Sequence, residues 1–183
     1  MTFPETQTIL DGVNVPNATI DDIVTVLNLR DVWKFVLSSV EKDLDIQYIC
    51  KINEYVSRNE SLAWGTLRNG TVGISGTDYR PDVPQEKNVK TELEAIINGK
   101  MSDTLKAIEV FLYIVYRQLF RDGNKRTATL AANKILIMNG AGILQIKESE
   151  VMNFNILLHE YYGSGDKSKL LEFLYEKCIF GMA

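Results

Sequence analysis

The chain has 183 residues, of which 45% are hydrophobic and 24% are charged. This length and composition predict one globular domain with a proper core and a soluble surface. The net charge of −4 argues against a general affinity for nucleic acid or for an anionic membrane, although one local basic pocket stays compatible with it.

The cellular location is predicted from signals that the sequence lacks. No stretch reaches the roughly 18–20 apolar residues of a membrane span, and the start MTFPETQTILDG lacks the basic-then-apolar build of a signal peptide. Cys50 and Cys178 lie far apart and outside any C-x-x-C arrangement. We expect a cytoplasmic protein with two buried thiols; a chance disulfide between them is the alternative.

Hydrophobic periodicity predicts a mostly helical chain. Thr19 suits the N-cap of the first long helix, since two acidic residues follow it in the first turn. A further long helix is capped by Ser102 or Asp103 and carries apolar residues from Leu105 to Leu119 on one face. The other predicted helices cover residues 45–56, 87–97, 124–138, 148–162 and 166–178, and the first covers 19–37 with a bend near 28–30.

Residues 65–84 differ from the rest of the chain because they are rich in Gly, Pro and Thr. The pair Asn69-Gly70 stands between strand-like residues, and both central residues of a tight hairpin turn favour positive φ. This pattern predicts a β-hairpin whose second strand is residues 71–74. The sequence is therefore typical of one all-α domain that carries a single small hairpin.

The stretch QLFRDGNKRTA, residues 118–128, lies between two predicted helices and opens the more apolar of them. Backbone N–H groups at a helix N-terminus are unpaired and attract anions. Gly123 allows a close approach by a ligand, and Asn124 can donate to phosphate oxygens. Lys125 and Arg126 add positive charges that could neutralise a polyphosphate.

Asp122 would repel a phosphate unless a cation lay between them. Mg²⁺ suits that position, because it is held by one or two carboxylates together with phosphate oxygens. The same letters also fit an ordinary turn that caps a helix and leaves two solvated basic residues. The local pattern alone leaves these two interpretations equally weighted.

The segment FRDGNKR resembles the motif of the Fic/Doc (Fido) family, which reads H-P-F-x-D/E-G-N-G/K-R. The long helix before it, the apolar helix after it and the upstream Gly-rich hairpin fit as well. The resemblance covers nearly the whole chain, from Thr19 to Phe180. It implies an all-α, Fic-like helical domain with a small β-hairpin flap over residues 18–183, preceded by an extension at 1–17.

The family transfers part of a nucleotide, usually AMP from ATP, to a Ser, Thr or Tyr hydroxyl of a target protein. By position, the resemblance implies that Asp122 binds Mg²⁺ and that Gly123, Asn124 and Lys125 form the anion nest for ATP or another nucleoside triphosphate. Arg126 would contact the phosphate chain. Phe120 would hold the loop in the core, and the flap that binds a target segment would be Thr71, Val72, Gly73 and Ile74.

The chain departs from the motif at the catalytic position. Gln118 replaces the family histidine and Leu119 the proline. A glutamine amide orients a hydroxyl but cannot accept its proton, and general-base catalysis contributes about 10²- to 10⁴-fold. We therefore expect a slow or absent transferase. His159 is the chain's one histidine, and we expect it to be a structural or surface residue instead of a substitute base.

Two further departures bear on regulation and reaction type. Lys125 replaces a glycine that many adenylyl-transferring members carry, and lysine there also occurs in Doc-type kinases. Thr129 replaces a second arginine, and residues 7–12 match the family's inhibitory motif only in spacing. We interpret Asp11 and Gly12 as a turn, with a degenerate inhibitory segment as the alternative.

Three functions follow from these observations. The first is a nucleotide-binding Fic protein, nominally an adenylyltransferase of protein hydroxyls. The second is a catalytically inactive module that binds or regulates a partner through the flap. The third is a Doc-type phosphotransferase of a toxin–antitoxin pair, with an antitoxin as its partner.

Overall fold

The structure is a computed structural model that describes residues 2–16 and 18–181. Within these ranges the chain forms eight α-helices and one short antiparallel strand pair. The helices are α1 (Phe3–Leu10), α2 (Ile20–Ser38), α3 (Ile46–Ser57), α4 (Glu86–Ile97), α5 (Asp103–Arg117), α6 (Asn124–Met138), α7 (Val151–Ser164) and α8 (Ser168–Lys177). The strands are β1 (Ile143–Leu144) and β2 (Ile179–Phe180), and a 3₁₀ turn covers Glu148–Glu150.

Side-chain caps explain where several helices begin. Thr19 accepts a hydrogen bond from the backbone N–H of Asp22 at 3.1 Å, and the Asp22 carboxylate accepts one from Thr19 in return at 3.0 Å. Asp45 caps α3 through the N–H of Tyr48 at 2.7 Å, and Ser102 caps α5. Each such bond satisfies a donor that the helix leaves unpaired. The predicted starts of α2, α3 and α5 are thus confirmed to within one residue, whereas α7 and α8 begin at Val151 and Ser168, later than the predicted residues 148 and 166.

Helix α6 lies at the centre of the fold, as its apolar sequence predicts. It packs against α2, α3 and α5, and its Leu130 and Leu136 side chains are fully buried. Phe120, just before it, is also buried in the core. Because α6 begins at the Gly123 cap, the start of the buried helix fixes the position of the loop in front of it.

The N-terminal helix α1 was not predicted. It begins with a capping box at Thr2 and packs against α2. Asp11 follows its last residue, and Gly12 has a φ of 78°, which is the left-handed conformation that favours glycine. Asp11 and Gly12 thus form a helix-ending turn.

The fold class is confirmed, but the predicted position of the strands is wrong. The strand pair joins residues 143–144 to 179–180, whereas residues 65–84 form an irregular loop. Neither Asn69 nor Gly70 has positive φ, so the expected hairpin turn does not form. Hydrogen bonds from Arg68 compete with the hairpin turn. Arg68 is only 4% exposed, and its guanidinium donates to the carbonyls of Gln118, Gly70, Pro81, Asp82 and Arg117.

Both cysteines are free thiols, as expected. Burial raises the pKa of Cys50 and of Cys178 to about 11, so both stay protonated at neutral pH.

Among the described residues, no helix combines the length and the apolar character that crossing a membrane requires.

Candidate functional site

A cleft of about 500 Å³ lies where the loop before α6 meets α7 and the irregular loop. Residues 121–126 form its floor, and Gly73, Ile74 and Ser75 form one wall. The opposite wall comes from α7, through Asn155, Leu158, His159 and Tyr162. The structure therefore brings the motif loop and part of the predicted flap into one cavity.

Gly123 is required by both conformation and packing. Its φ is 73°, and an added Cβ would lie 2.3 Å from Ser57 Oγ and 2.8 Å from Val56 Cγ1. The carbonyl of Asp122 accepts hydrogen bonds from Asn53 Nδ2 at 2.9 Å and from Ser57 Oγ at 3.2 Å. Two side chains of helix α3 thus hold the backbone of the loop in position.

The first turn of α6 is open toward the cleft. The N–H of Thr127 is the first to bond back, to the carbonyl of Gly123 at 2.8 Å. The N–H groups of Asn124, Lys125 and Arg126 therefore have no helical partner, and they carry the positive end of the helix dipole. The Lys125 side chain is exposed at the same place. This arrangement favours a bound anion.

The Asn124 side chain is used inside the loop. It is 6% exposed. Its Oδ1 accepts from the N–H of Phe120 at 2.9 Å, and its Nδ2 donates to the Phe120 carbonyl at 2.8 Å and to Gln118 Oε1 at 3.1 Å. Both hydrogens of its amide are therefore donated within the loop. The sequence had predicted that they donate to phosphate. Asn124 contributes the loop's shape and a backbone N–H.

Asp122 and Arg126 lie side by side at the cleft. The Asp122 side chain is 54% exposed, and its Oδ2 lies 3.6 Å from Arg126 Nη2. Arg126 Nη1 donates to Glu60 Oε2 at 2.8 Å and to the carbonyl of Val56 at 3.3 Å. Glu60 is in turn held by Asn28 Nδ2 at 3.0 Å. Arg126 is thus positioned by Glu60, a residue that no local sequence pattern indicated.

Gln118 ends α5 in the left-handed conformation, with a φ of 45°. Its Nε2 donates to the carbonyl of Val115 at 2.6 Å and to the hydroxyl of Tyr162 at 3.1 Å, while its Oε1 accepts from Asn124. Every polar atom of the amide is therefore in use. Burial raises the pKa of Tyr162 to about 12, so this phenol stays protonated at neutral pH.

The predicted flap forms neither a strand nor a helix, and its backbone is unpaired at residues 71–73. Gly73 and Ile74 line the cleft, and Thr71 and Val72 lead up to it. Within the described chain, no backbone hydrogen bond reaches Thr71, Val72 or Gly73. The segment therefore offers free backbone donors and acceptors beside the motif loop.

His159 is exposed, as expected for a surface residue, but it lies in this cleft. Its ring faces Gly76, two residues after the flap, where an added Cβ would lie 2.9 Å from the His159 Cε1 atom. The ring also packs edge-on to Tyr162, with 6.5 Å between centroids. Hydrophobic periodicity predicted that His159 lies on a helix, but it did not indicate that this side of the helix lines a cleft.

Comparison with solved structures shows the fold. The chain superimposes on Fic-1 from C. elegans with a TM-score of 0.79 and 21% identity, covering 95% of this chain and 54% of that one. A Fic domain-containing signaling protein from Bacteroides thetaiotaomicron gives 0.78 at 16% identity, with 96% and 74% covered. BepC from Bartonella tribocorum, solved with bound AMPPNP, gives 0.62 at 17% identity, with 94% and 91% covered.

The chain thus spans about half the length of the Fic-1 chain that it matches. A comparison with curated proteins found no significant match. The profile of the Fic/DOC family matches residues 43–136, which include α3 to α5, the motif loop and most of α6. With this match over half of its length, the chain belongs to the Fic/DOC family.

Proposed function

We propose that this chain binds a nucleoside triphosphate with Mg²⁺ in the cleft and transfers its AMP part to a hydroxyl of a protein segment held on the flap. One observation carries the proposal. A single cavity joins the open first turn of α6, an exposed carboxylate, an exposed lysine and the end of the unpaired flap at Gly73. These are the parts that a phosphate chain, a metal ion and a peptide would each need.

The phosphate chain is proposed to lie across the start of α6. Free N–H groups there can donate to phosphate oxygens, and Lys125 adds a full charge. Arg126 lines the same cleft, and its hydrogen bond to Glu60 holds the guanidinium in place. Phosphate transfer depends mainly on positioning and charge stabilisation, which this arrangement supplies.

Asp122 fits a magnesium ion. Its carboxylate is half-exposed at the cleft, and the described residues contain no cluster of three His, Cys, Asp or Glu side chains that could hold a metal by themselves. Mg²⁺ commonly takes one or two carboxylates and completes its shell with phosphate oxygens and water. When bound, the ion would offset phosphate charge beside the carboxylate.

The flap is proposed to hold the target segment by backbone pairing. An extended peptide can add to an exposed edge through main-chain hydrogen bonds. Residues 71–73 have free backbone groups, and Gly73 continues into the cleft wall. A side chain of the paired peptide would then reach the phosphate site. ATP is the nucleotide proposed, and the bound AMPPNP of the structurally similar BepC supports that choice.

Asp122→Asn is expected to weaken ATP binding in the presence of Mg²⁺ by about 10- to 100-fold, because a charged contact to the ion is lost. Isothermal titration calorimetry with ATP, with Mg²⁺ and with EDTA, measures this effect. Asp21→Asn is the matched control, since Asp21 is an acid at the start of α2, away from the cleft. Equal affinities of the two variants in Mg²⁺ would contradict the metal assignment.

The position of the radioactive label separates the candidate reactions. Incubation with ATP labelled at the α-phosphate should give covalently labelled protein if AMP is transferred. Label from the γ-phosphate alone would instead indicate the Doc-type phosphotransferase that Lys125 suggests, with a toxin–antitoxin role as its setting.

A second candidate function is favoured by Gln118. Both Nε2 hydrogens of its amide are donated inside the protein and its Oε1 accepts from Asn124, and an amide supplies no proton acceptor for an attacking hydroxyl. The chain would then be an inactive module that binds nucleotide and presents its flap to a partner. ATP binding in calorimetry with no label transferred from either phosphate would favour this function.

A further inference from the structure

We propose that His159 is the catalytic base of this site and accepts the proton that Gln118 cannot take. The proposal deepens the proposed function, since it concerns proton transfer in the same cleft. It differs from the sequence-based expectation, which treated His159 as a structural or surface residue.

The first support is location. His159 lies on α7 and lines the cleft that also contains Gln118, Asp122 and Lys125. Its imidazole is exposed, so it is open to a ligand in the cleft. The chain has one histidine in total, and that residue lies in the cavity of the motif loop.

The second support is the contact with the backbone that directly follows the flap. The His159 ring lies so close to Gly76 that an added Cβ would be 2.9 Å from Cε1 and 3.5 Å from Nδ1. Gly76 follows the cleft-lining Ser75 directly and has a φ of 80°. The backbone two residues after the flap therefore passes against the imidazole. A hydroxyl on a peptide paired with the flap would arrive beside this ring.

The third support is the chemistry of the neighbours. A neutral imidazole accepts a proton near neutral pH. Gln118 makes three hydrogen bonds inside the protein, and its amide has no basic atom. The Tyr162 phenol stays protonated at neutral pH, and Asp122 lies 3.6 Å from Arg126 at the proposed metal position. Among the cleft side chains, His159 is thus the one that offers an imidazole nitrogen, and its ring is exposed.

The step balances as follows. The hydroxyl oxygen of the target forms a bond to the α-phosphorus of ATP, and the bond from that phosphorus to the oxygen shared with the β-phosphorus breaks. Pyrophosphate leaves with the electron pair. The hydroxyl proton moves to a ring nitrogen of His159 and from there to solvent.

The test compares the wild type with His159→Gln, Gln118→His and the double variant that carries both changes. The assay measures label transferred from α-labelled ATP to the protein itself and to a cell lysate, with ATP affinity and melting temperature measured alongside. Asn153→Gln, an exposed change on α7 outside the cleft, is the control. We expect His159→Gln to lower the rate by about 10²- to 10⁴-fold with unchanged ATP affinity, and the double variant to regain transfer.

Three results would overturn the proposal while leaving nucleotide binding in place. They are a wild-type rate in His159→Gln, transfer by Gln118→His but not by the wild type, and ATP binding without transfer by any variant. Absence of ATP binding by the wild type would instead overturn the proposed function, and this inference with it. Recovery in the double variant excludes a purely structural role, because Gln118→His restores a base and not the lost contact.

The single histidine also allows a test that does not depend on activity. Imidazole resonances in an NMR spectrum of the wild type belong to His159 alone. Adding ATP with Mg²⁺ should shift these resonances. If calorimetry shows binding while the resonances stay unchanged, the nucleotide does not reach the cleft beside His159 and the proposal fails.

Discussion

Replacing Arg68 with methionine is expected to lower the free energy of unfolding by about 3 to 5 kcal/mol, since each buried carbonyl left without a donor costs about 1–3 kcal/mol. Arg68 is 4% exposed, and its guanidinium donates hydrogen bonds to carbonyl oxygens of three separate segments of the chain. Methionine fills a similar volume but donates no hydrogen bond. Chemical denaturation measures the change.

The same substitution should loosen the flap. Arg68 joins the loop before Thr71 to the end of α5 through the carbonyl of Gln118 at 2.6 Å, and to the segment after the flap through Asp82. The backbone amide hydrogens of residue 68, bonded to the Leu119 carbonyl at 3.0 Å, and of Thr77, bonded to the Ile74 carbonyl at 3.1 Å, should therefore exchange faster in the variant. Arg121→Met is the control, because Arg121 is exposed. Similar losses of stability in both variants would show that the carbonyl contacts of Arg68 contribute little.

The second large effect is expected at Gly123. Gly123→Ala should lower the free energy of unfolding by about 2 to 5 kcal/mol, which combines about 1–2 kcal/mol for a left-handed residue with a Cβ and about 1–3 kcal/mol for overpacking. The overpacking arises because the new methyl group would lie 2.3 Å from Ser57 Oγ and 2.8 Å from Val56 Cγ1. Both atoms belong to α3, which is packed against α6.

Gly140→Ala is a matched control for the conformational part of this effect. Gly140 lies just beyond α6 with a φ of 62°, and nothing is within 4 Å of an added Cβ. Its alanine variant should therefore show only the cost of the left-handed conformation. Thermal or chemical denaturation of both variants gives the difference between them. If the two variants lose equal stability, α3 does not restrict the loop as described.

The helices were predictable because their determinants are local. The bounds of α6 match the predicted residues 124–138, since a glycine precedes it and Asn139-Gly140 follows it. Thr19 and Asp45 lie directly before the helices that they cap. Caps and apolar periodicity act over a few residues, so they can be recognised without knowing the fold. The motif loop also follows from local sequence, because it forms the start of a buried helix.

Two features depended on tertiary contacts instead. Asn69-Gly70 has the local pattern of a hairpin, but Arg68 binds carbonyls as far away as Asp82 and holds the loop in another shape. Arg126 is held by Glu60, which is 66 residues distant. Local preference is worth a few tenths to about 1 kcal/mol, which a buried network of charge-assisted hydrogen bonds exceeds.

By itself the sequence determined the positions of α2 to α6 and of the loop before α6, with Gln118 at the start of that loop. The tertiary structure alone decided what surrounds Gln118: it brought His159 from α7 to the cleft and engaged the Gln118 amide in three internal hydrogen bonds. The physical reason is that helix periodicity specifies which side of α7 is apolar, whereas the packing of α7 and the path of the flap specify what its polar side faces.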